Sequence, residues 1–281
     1  MFNTKQNFNK EIKMIKKVLL CLIILSVVVI TGCTKKEDKK DTLLEIKKRG
    51  ELIVGVKYDS KPFGFVKDGK LQGYDIDMAH LIAKRILGNE RLVRFVEVNA
   101  QNRISKLNSG EVDMLIATMS INPQRTEVID FSIPYYYAGQ ALMIRKGTAI
   151  KSVSDLNGRR VIIVLGTTGE KNIRYLAPEV ILQGYKTYQD GFDAFLNHKA
   201  EAMTTDDSIL AGFVMDHPEF TILPQRYSQD AYGIAFRKGS ENASLKTEVN
   251  SAIGELRRKG KLNYLKSIWL PTASTGFKNK Y

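Results

Sequence analysis

Short apolar blocks recur along this chain, and between them apolar and polar positions alternate at a helical period. Residues 52–56, 112–117 and 161–165 are runs of five or six residues that end in glycine or polar residues, the form of a core strand. The pattern predicts strands over 52–56, 93–98, 114–117, 141–145, 161–165, 202–205 and 232–237. Helices are predicted over 76–87, 102–108, 170–176, 189–197 and 245–259, with one helical turn at 153–156 and a short helix before Ser267. Strand and helix alternate with short connections, so the fold class is α/β and ligands are expected at the carboxyl ends of the strands. The residues by themselves permit one continuous sheet, and no internal repeat is visible.

The start of the chain departs from this pattern. Lys13, Lys16 and Lys17 precede an apolar run at 18–30, short for a membrane span but of signal-peptide length. The run ends in Ile30-Thr31-Gly32-Cys33, the order of a bacterial lipoprotein signal, with Cys33 as the lipidated first residue of the mature chain. An ordinary signal peptide with a chance cysteine is the alternative. Met14 begins a more typical signal than Met1, and residues 1–32 are set apart as leader and signal. Residues 33–42, without an apolar side chain after Cys33, form a solvated tether. The two cysteines are Cys21 and Cys33, so the body after them has no thiol, disulfide or thiolate metal site. Its stability rests on the core that about 230 residues can bury.

Net charge is +13, and the five lysines and one glutamate of residues 1–32 account for four of it, leaving +9. That surplus suits an anionic ligand or membrane surface. A nucleic-acid partner is not expected, because the cations are scattered among acids without interleaved aromatics and the chain is exported.

The most informative stretch is residues 110–137. A core strand runs into Thr118, Met119 and Ser120; Asn122 can cap a helix, Pro123 suits its first turn, and Arg125 follows. Hydroxyls, free backbone N–H groups and a guanidinium thus converge where a carboxylate can be held. Pairing of Arg125 with Glu127 or Asp130 on a solvated face is the plainer alternative.

The run Gly110-Glu-Val-Asp-Met-Leu-Ile-Ala-Thr-Met-Ser-Ile-Asn-Pro-Gln-Arg125, followed by Ile129-Asp-Phe-Ser-Ile-Pro-Tyr-Tyr136, resembles family 3 of the bacterial extracellular solute-binding proteins. Gly50-Glu-Leu-Ile-Val-Gly-Val-Lys57, Gly73-Tyr-Asp-Ile-Asp77 and Tyr232-Gly-Ile-Ala-Phe236 extend the likeness to most of residues 43–271. The resemblance implies a two-lobed periplasmic-binding-protein-like fold of type II, with a ligand cleft between lobes joined by a two-strand hinge. Lobe 1 would take residues 43–139 and 233–271, lobe 2 residues 140–232, and residues 272–281 a tail. Gly139 and Gly233 at the crossings would allow the backbone changes of closure.

The same resemblance implies an amino-acid receptor, and its aspartate and glutamate branch is the nearest likeness. Arg125 would clamp the ligand α-carboxylate through two N–H groups, helped by Ser120 and Thr118. Thr168, with Thr167 second, would face the same group from the loop Gly166-Thr-Thr-Gly169, unless that loop is only a helix cap. Asp206 would pair with the α-ammonium, with Asp207 as the reverse assignment. Lys57 and Arg103 match cations that meet an acidic side chain; plain surface charges are the alternative. Counting Lys57, Arg103 and Arg125 against Asp206 gives +2, which favours L-glutamate or L-aspartate, with a receptor for glutamine or another polar amino acid as the alternative. Tyr58, Phe63 and Phe65 are wall candidates, and Asp75 and Asp77 are left structural.

The partners implied are an ABC permease and its ATPase as separate chains and the membrane through lipid on Cys33, the receptor being a monomer on the extracytoplasmic face. No cofactor or metal is expected. The fold also resembles cyclohexadienyl dehydratases, but His80, His198 and His217 lie in no motif and no further acid or base is evident, so no enzyme activity is expected.

Overall fold

The computed structural model describes residues 40–270, with residues 14 and 16; the leader, Cys33 and the tail lie outside the described residues. The chain begins with α1 (Thr42–Arg49), β1 (Leu52–Val56), the hairpin strands β2 (Asp59–Ser60), β3 (Gly64–Lys67) and β4 (Lys70–Gln72), and α2 (Tyr74–Leu87). It continues through β5 (Val93–Glu97), α3 (Arg103–Asn108), β6 (Met114–Leu115), α4 (Pro123–Val128), β7 (Ile129–Phe131), β8 (Tyr136–Ala138) and β9 (Gln140–Arg145). Then come β10 (Arg160–Val164), α5 (Thr168–Leu176), β11 (Ile181–Tyr185), α6 (Tyr188–Leu196), β12 (Ala202–Asp206) and α7 (Asp207–Val214). The last elements are β13 (Phe220–Ile222), β14 (Asp230–Tyr232), β15 (Ala235–Arg237), α8 (Ala243–Arg258) and α9 (Lys261–Trp269).

Two separate five-stranded sheets form, in the orders β5-β1-β6-β15-β7 and β11-β10-β12-β9-β13. Each joins three parallel strands to a returning antiparallel one, so the two halves share a topology that the residue pattern does not display. Between them β8 and β14 pair antiparallel, Asp230 opposite Ala138 and Tyr232 opposite Tyr136, as the two-strand hinge of a two-lobed fold. One buried cluster runs through both lobes by way of Phe63, Tyr135, Tyr136 and Tyr232, and each lobe keeps a smaller one of its own. These clusters begin at Ile46 and end at Leu265, so residues 41–270 hold their whole core, which accounts for the compactness of this unit.

The structure amends three expectations. The tether stops short of residue 42: Asp41 caps Leu44, and buried Thr42 starts α1, its hydroxyl donating to Asn242 at 2.8 Å. The strand expected over 232–237 is two strands, because β14 pairs across the hinge while β15 pairs with β6 and β7. Gly139 and Gly233, expected to ease closure, have no positive φ in this state, and a second reason for glycine is visible at both. They make room: a Cβ on Gly139 would lie 2.6 Å from the Ser228 oxygen, and one on Gly233 2.9 Å from Ile121 and Phe131.

Candidate functional site

Both sheets turn the carboxyl ends of their parallel strands to the same cleft. Lys57 follows β1, residues 100–103 follow β5, Thr118 follows β6, Gly166 follows β10, Tyr188 follows β11, and Asp206 ends β12. Residues far apart in the chain therefore converge because each sits at, or within a few residues of, the carboxyl end of a parallel strand.

Arg125 is positioned by its own helix start. Asn122 accepts the Arg125 N–H at 2.9 Å, Pro123 occupies the first turn, and the guanidinium bends back to donate Nη1 to the Ser120 carbonyl at 2.7 Å. Nη2 lies 3.4 Å from the Gly166 carbonyl of the second lobe, so Arg125 touches both walls and does not sit on a solvated face. Arg103 is buried and donates Nη1 to the Ala117 carbonyl at 2.8 Å; its Nε has no partner among the described residues. Burial, then the neighbouring Arg125, lowers its pKa, and Asp206 opposes that shift. Two guanidiniums held this close need anions.

Asp206 is one. It accepts a hydrogen bond from the Tyr232 hydroxyl, and burial pushes its carboxyl up to about 7. Asp207 takes the structural post instead, accepting from Gly139 N–H at 3.2 Å, Ser208 N–H at 2.7 Å and Arg226 Nε at 2.8 Å. Lys57 is fully buried, and its ammonium has no hydrogen-bond partner among the described residues. It lies 4.7 Å from the centroid of the Tyr188 ring and 3.8 Å from Asp59 Oδ1, and burial lowers it to about 8. Neither Lys57 nor Arg103 is a surface charge.

Two acids missing from the sequence count join this group. Asp59 sits beside Lys57 and accepts the Tyr188 N–H at 2.6 Å. Asp75 accepts from the Tyr135 hydroxyl at 2.9 Å and from Thr118 N–H at 3.1 Å, and burial pushes it up to about 7. Its grip holds Thr118 in the left-handed region at φ 46°, with the hydroxyl unpartnered among the described residues. Lys57, Arg103 and Arg125 therefore lie among Asp59, Asp75 and Asp206, with buried Asp230 acting on Asp206 and Arg125 as well, so the count of +2 left out acids that share this region. Asp75 was legible only as a polar position on a helix that buries it; its partner lies 43 residues on.

The remaining candidates separate. Thr168 is half-buried at the start of α5, and the Thr167 hydroxyl donates to the Val164 carbonyl at 2.7 Å without capping the helix. Ser120 is buried and bridges to Tyr232 through the backbone. Phe63 packs edge-on against Tyr232 at 5.5 Å and so backs Asp206, whereas Phe65 packs on Trp269 at 5.9 Å and Tyr58 lines an outer groove with Lys61 and Phe213. Asp77 accepts from Trp269 Nε1 at 2.7 Å. Gln140 was missed: it is buried, its amide nitrogen reaches Gly169 O and Thr204 Oγ1, and its oxygen is unpartnered among the described residues. A lone amide opening an apolar strand was its only signal. His80 bonds to the Glu90 carbonyl oxygen and His217 to the Glu219 carboxylate, both in exposed positions.

The family model of the bacterial extracellular solute-binding proteins, family 3, matches residues 52–272. This chain belongs to that family. It is 37% identical over 242 residues to the ABC transporter glutamine-binding protein GlnH of Bacillus subtilis, covering 85% of this chain and 88% of that one. The glutamine-binding protein of Geobacillus stearothermophilus is 39% identical, over 80% of this chain and 92% of its own. The crystal structure of the cysteine-binding protein from Campylobacter jejuni superposes with a TM-score of 0.79 at 31% identity, covering 86% of this chain and 96% of that one. These relatives bind solutes, and this solute-binding protein is likewise a receptor of the extracytoplasmic side and not an enzyme. Among its described residues no helix is long and apolar enough to cross a membrane.

Proposed function

We propose that this solute-binding protein captures glutamine by closure of its cleft and delivers it to an ABC importer. The observation that carries the ligand choice is that acids gather around the three cations of the cleft. Lys57, Arg103 and Arg125 lie among Asp59, Asp75, Asp206 and Asp230, so no surplus of cations is left for a charged ligand side chain. Glutamate or aspartate would add one negative charge and arginine one positive, at several kcal/mol for an uncompensated buried ion. The names of the two glutamine-binding relatives agree with this choice. In this reading Arg125 holds the α-carboxylate with Thr118, Ser120 and Thr168, Asp206 holds the α-ammonium, and Lys57 and Arg103 line the side-chain end. We further propose that Cys33 carries lipid, that residues 43–139 with 233–271 and residues 140–232 are the moving lobes, and that a separate permease and ATPase receive the ligand from a monomeric receptor. Titration calorimetry of the chain from residue 34 onward against the twenty amino acids tests the ligand. Tightest binding of glutamine is expected; tighter binding of glutamate, aspartate or a basic amino acid overturns the choice.

A further inference from the structure

Gly212 lies in the interior of α7, where alanine stabilises a helix better than glycine does. The nearest atoms to a Cβ built there all belong to Lys61, in the hairpin of the other lobe. It would overlap the Lys61 carbonyl oxygen and lie 2.7 Å from the carbonyl carbon and 3.2 Å from Lys61 Cβ. The three nearest atoms all lie across the cleft, so the other lobe is what a side chain at this position meets first. Around the contact, Lys61 Nζ pairs with Asp216 Oδ2 at 2.6 Å, and Asp59 accepts the Tyr188 N–H at 2.6 Å. Asp216 is two-thirds exposed, so that ion pair alone holds little.

We propose that Gly212 and the Lys61 carbonyl form a closure seat that sets ligand affinity from outside the residues grouped around Arg125 and Asp206. The inference rests on the capture-by-closure reading but not on which amino acid is captured. A side chain at residue 212 opposes the shut state and leaves each lobe intact, so fold stability and ligand affinity move in opposite directions.

The test compares Gly212→Ala with the parent chain from residue 34 onward. The ligand-free variant is expected to melt at the same temperature or ~2 °C higher, and to bind glutamine at least ~10-fold more weakly by calorimetry. Unchanged affinity overturns the seat; so does a lower ligand-free melting temperature, which would place the clash within one lobe. If the parent does not bind glutamine, the ligand reading fails by itself and a second readout judges the seat. Residues 34–281 contain no cysteine, so Lys61→Cys with Asp216→Cys can be bridged by a short bismaleimide only when the lobes meet. Adding Gly212→Ala is expected to slow that bridging at least ~10-fold. Equal bridging rates overturn the proposal whatever the ligand.

Discussion

Asp206 shows most directly what the cleft gives up in stability for binding. Burial holds its carboxyl near 7 against an ordinary value of 3.8, so at neutral pH the folded chain carries a carboxylate that water would solvate better. For a raised acid the penalty is absent below pH 4 and complete above pH 7. In the chain bridged shut between Lys61→Cys and Asp216→Cys, Asp206→Asn is therefore expected to stabilise the ligand-free protein at pH 7.5 by ~2 kcal/mol, with no gain at pH 4, by thermal or urea unfolding. The same variant loses the partner of the α-ammonium, and glutamine affinity is expected to fall at least ~30-fold. Stability that falls at pH 7.5 would show the carboxylate to be a structural ion. Asp59 tests the charge argument: Asp59→Asn removes one acid from beside Lys57 and is expected to move the glutamate-to-glutamine affinity ratio toward glutamate by ~10-fold or more. Using the ratio removes any effect of the lost Tyr188 contact on closure, and an unchanged ratio means that charge count does not select the ligand.

At the scale of elements, the strands end where the chemistry begins. Only Met114 and Leu115 pair in β6, although residues 116 and 117 are buried too. The ladder stops short of Thr118, whose left-handed backbone turns the loop toward α4. The hinge is similarly specified by space. In Gly139→Ala the methyl group would press on the Ser228 oxygen within the hinge segment, so the ligand-free protein is expected to lose ~1–3 kcal/mol in denaturant unfolding. That sign is opposite to the one expected for Gly212→Ala, whose first clash is with the other lobe. Helix starts were readable from local residues, as with Asn122, Pro123 and Arg125, because a cap is a contact over three residues. Strand ends at the hinge were not, because pairing partners decide them.

For the whole molecule, the raised carboxyl and the lowered lysine give binding a pH window. Glutamine needs Asp206 ionised, so below about pH 7 protons compete with the α-ammonium, and affinity is expected to fall by up to ~10-fold per pH unit. Above about pH 8 Lys57 loses its charge, and the cleft a cation with it. Calorimetry from pH 5.5 to 8.5 in buffers of different ionisation enthalpy is expected to show an affinity maximum between these values and proton release on binding below pH 7. A flat profile would mean that Asp206 is already ionised across the range. At the amino end, Cys33→Ala is expected to leave the protein in the soluble fraction of cells that retain the unmodified form on membranes. Membrane retention of the variant points to a different anchor.

What the amino-acid sequence determined alone was local: the alternation of strand and helix, the helix start that aims Arg125, and the buried strands whose ends carry Lys57 and Asp206. Each depends on residues within a few positions of one another, where hydrophobic period and capping act directly. Tertiary structure decided the rest. Two sheets form in place of one because the hinge strands pair with each other. Asp59 meets the Tyr188 N–H across 129 residues, and Asp75 meets Thr118 across 43. Those contacts bring acids to the cations on whose surplus an acidic ligand was expected, and no local pattern encodes them: which charges share a cavity is set by how the lobes close, and burial then fixes how strongly each one counts.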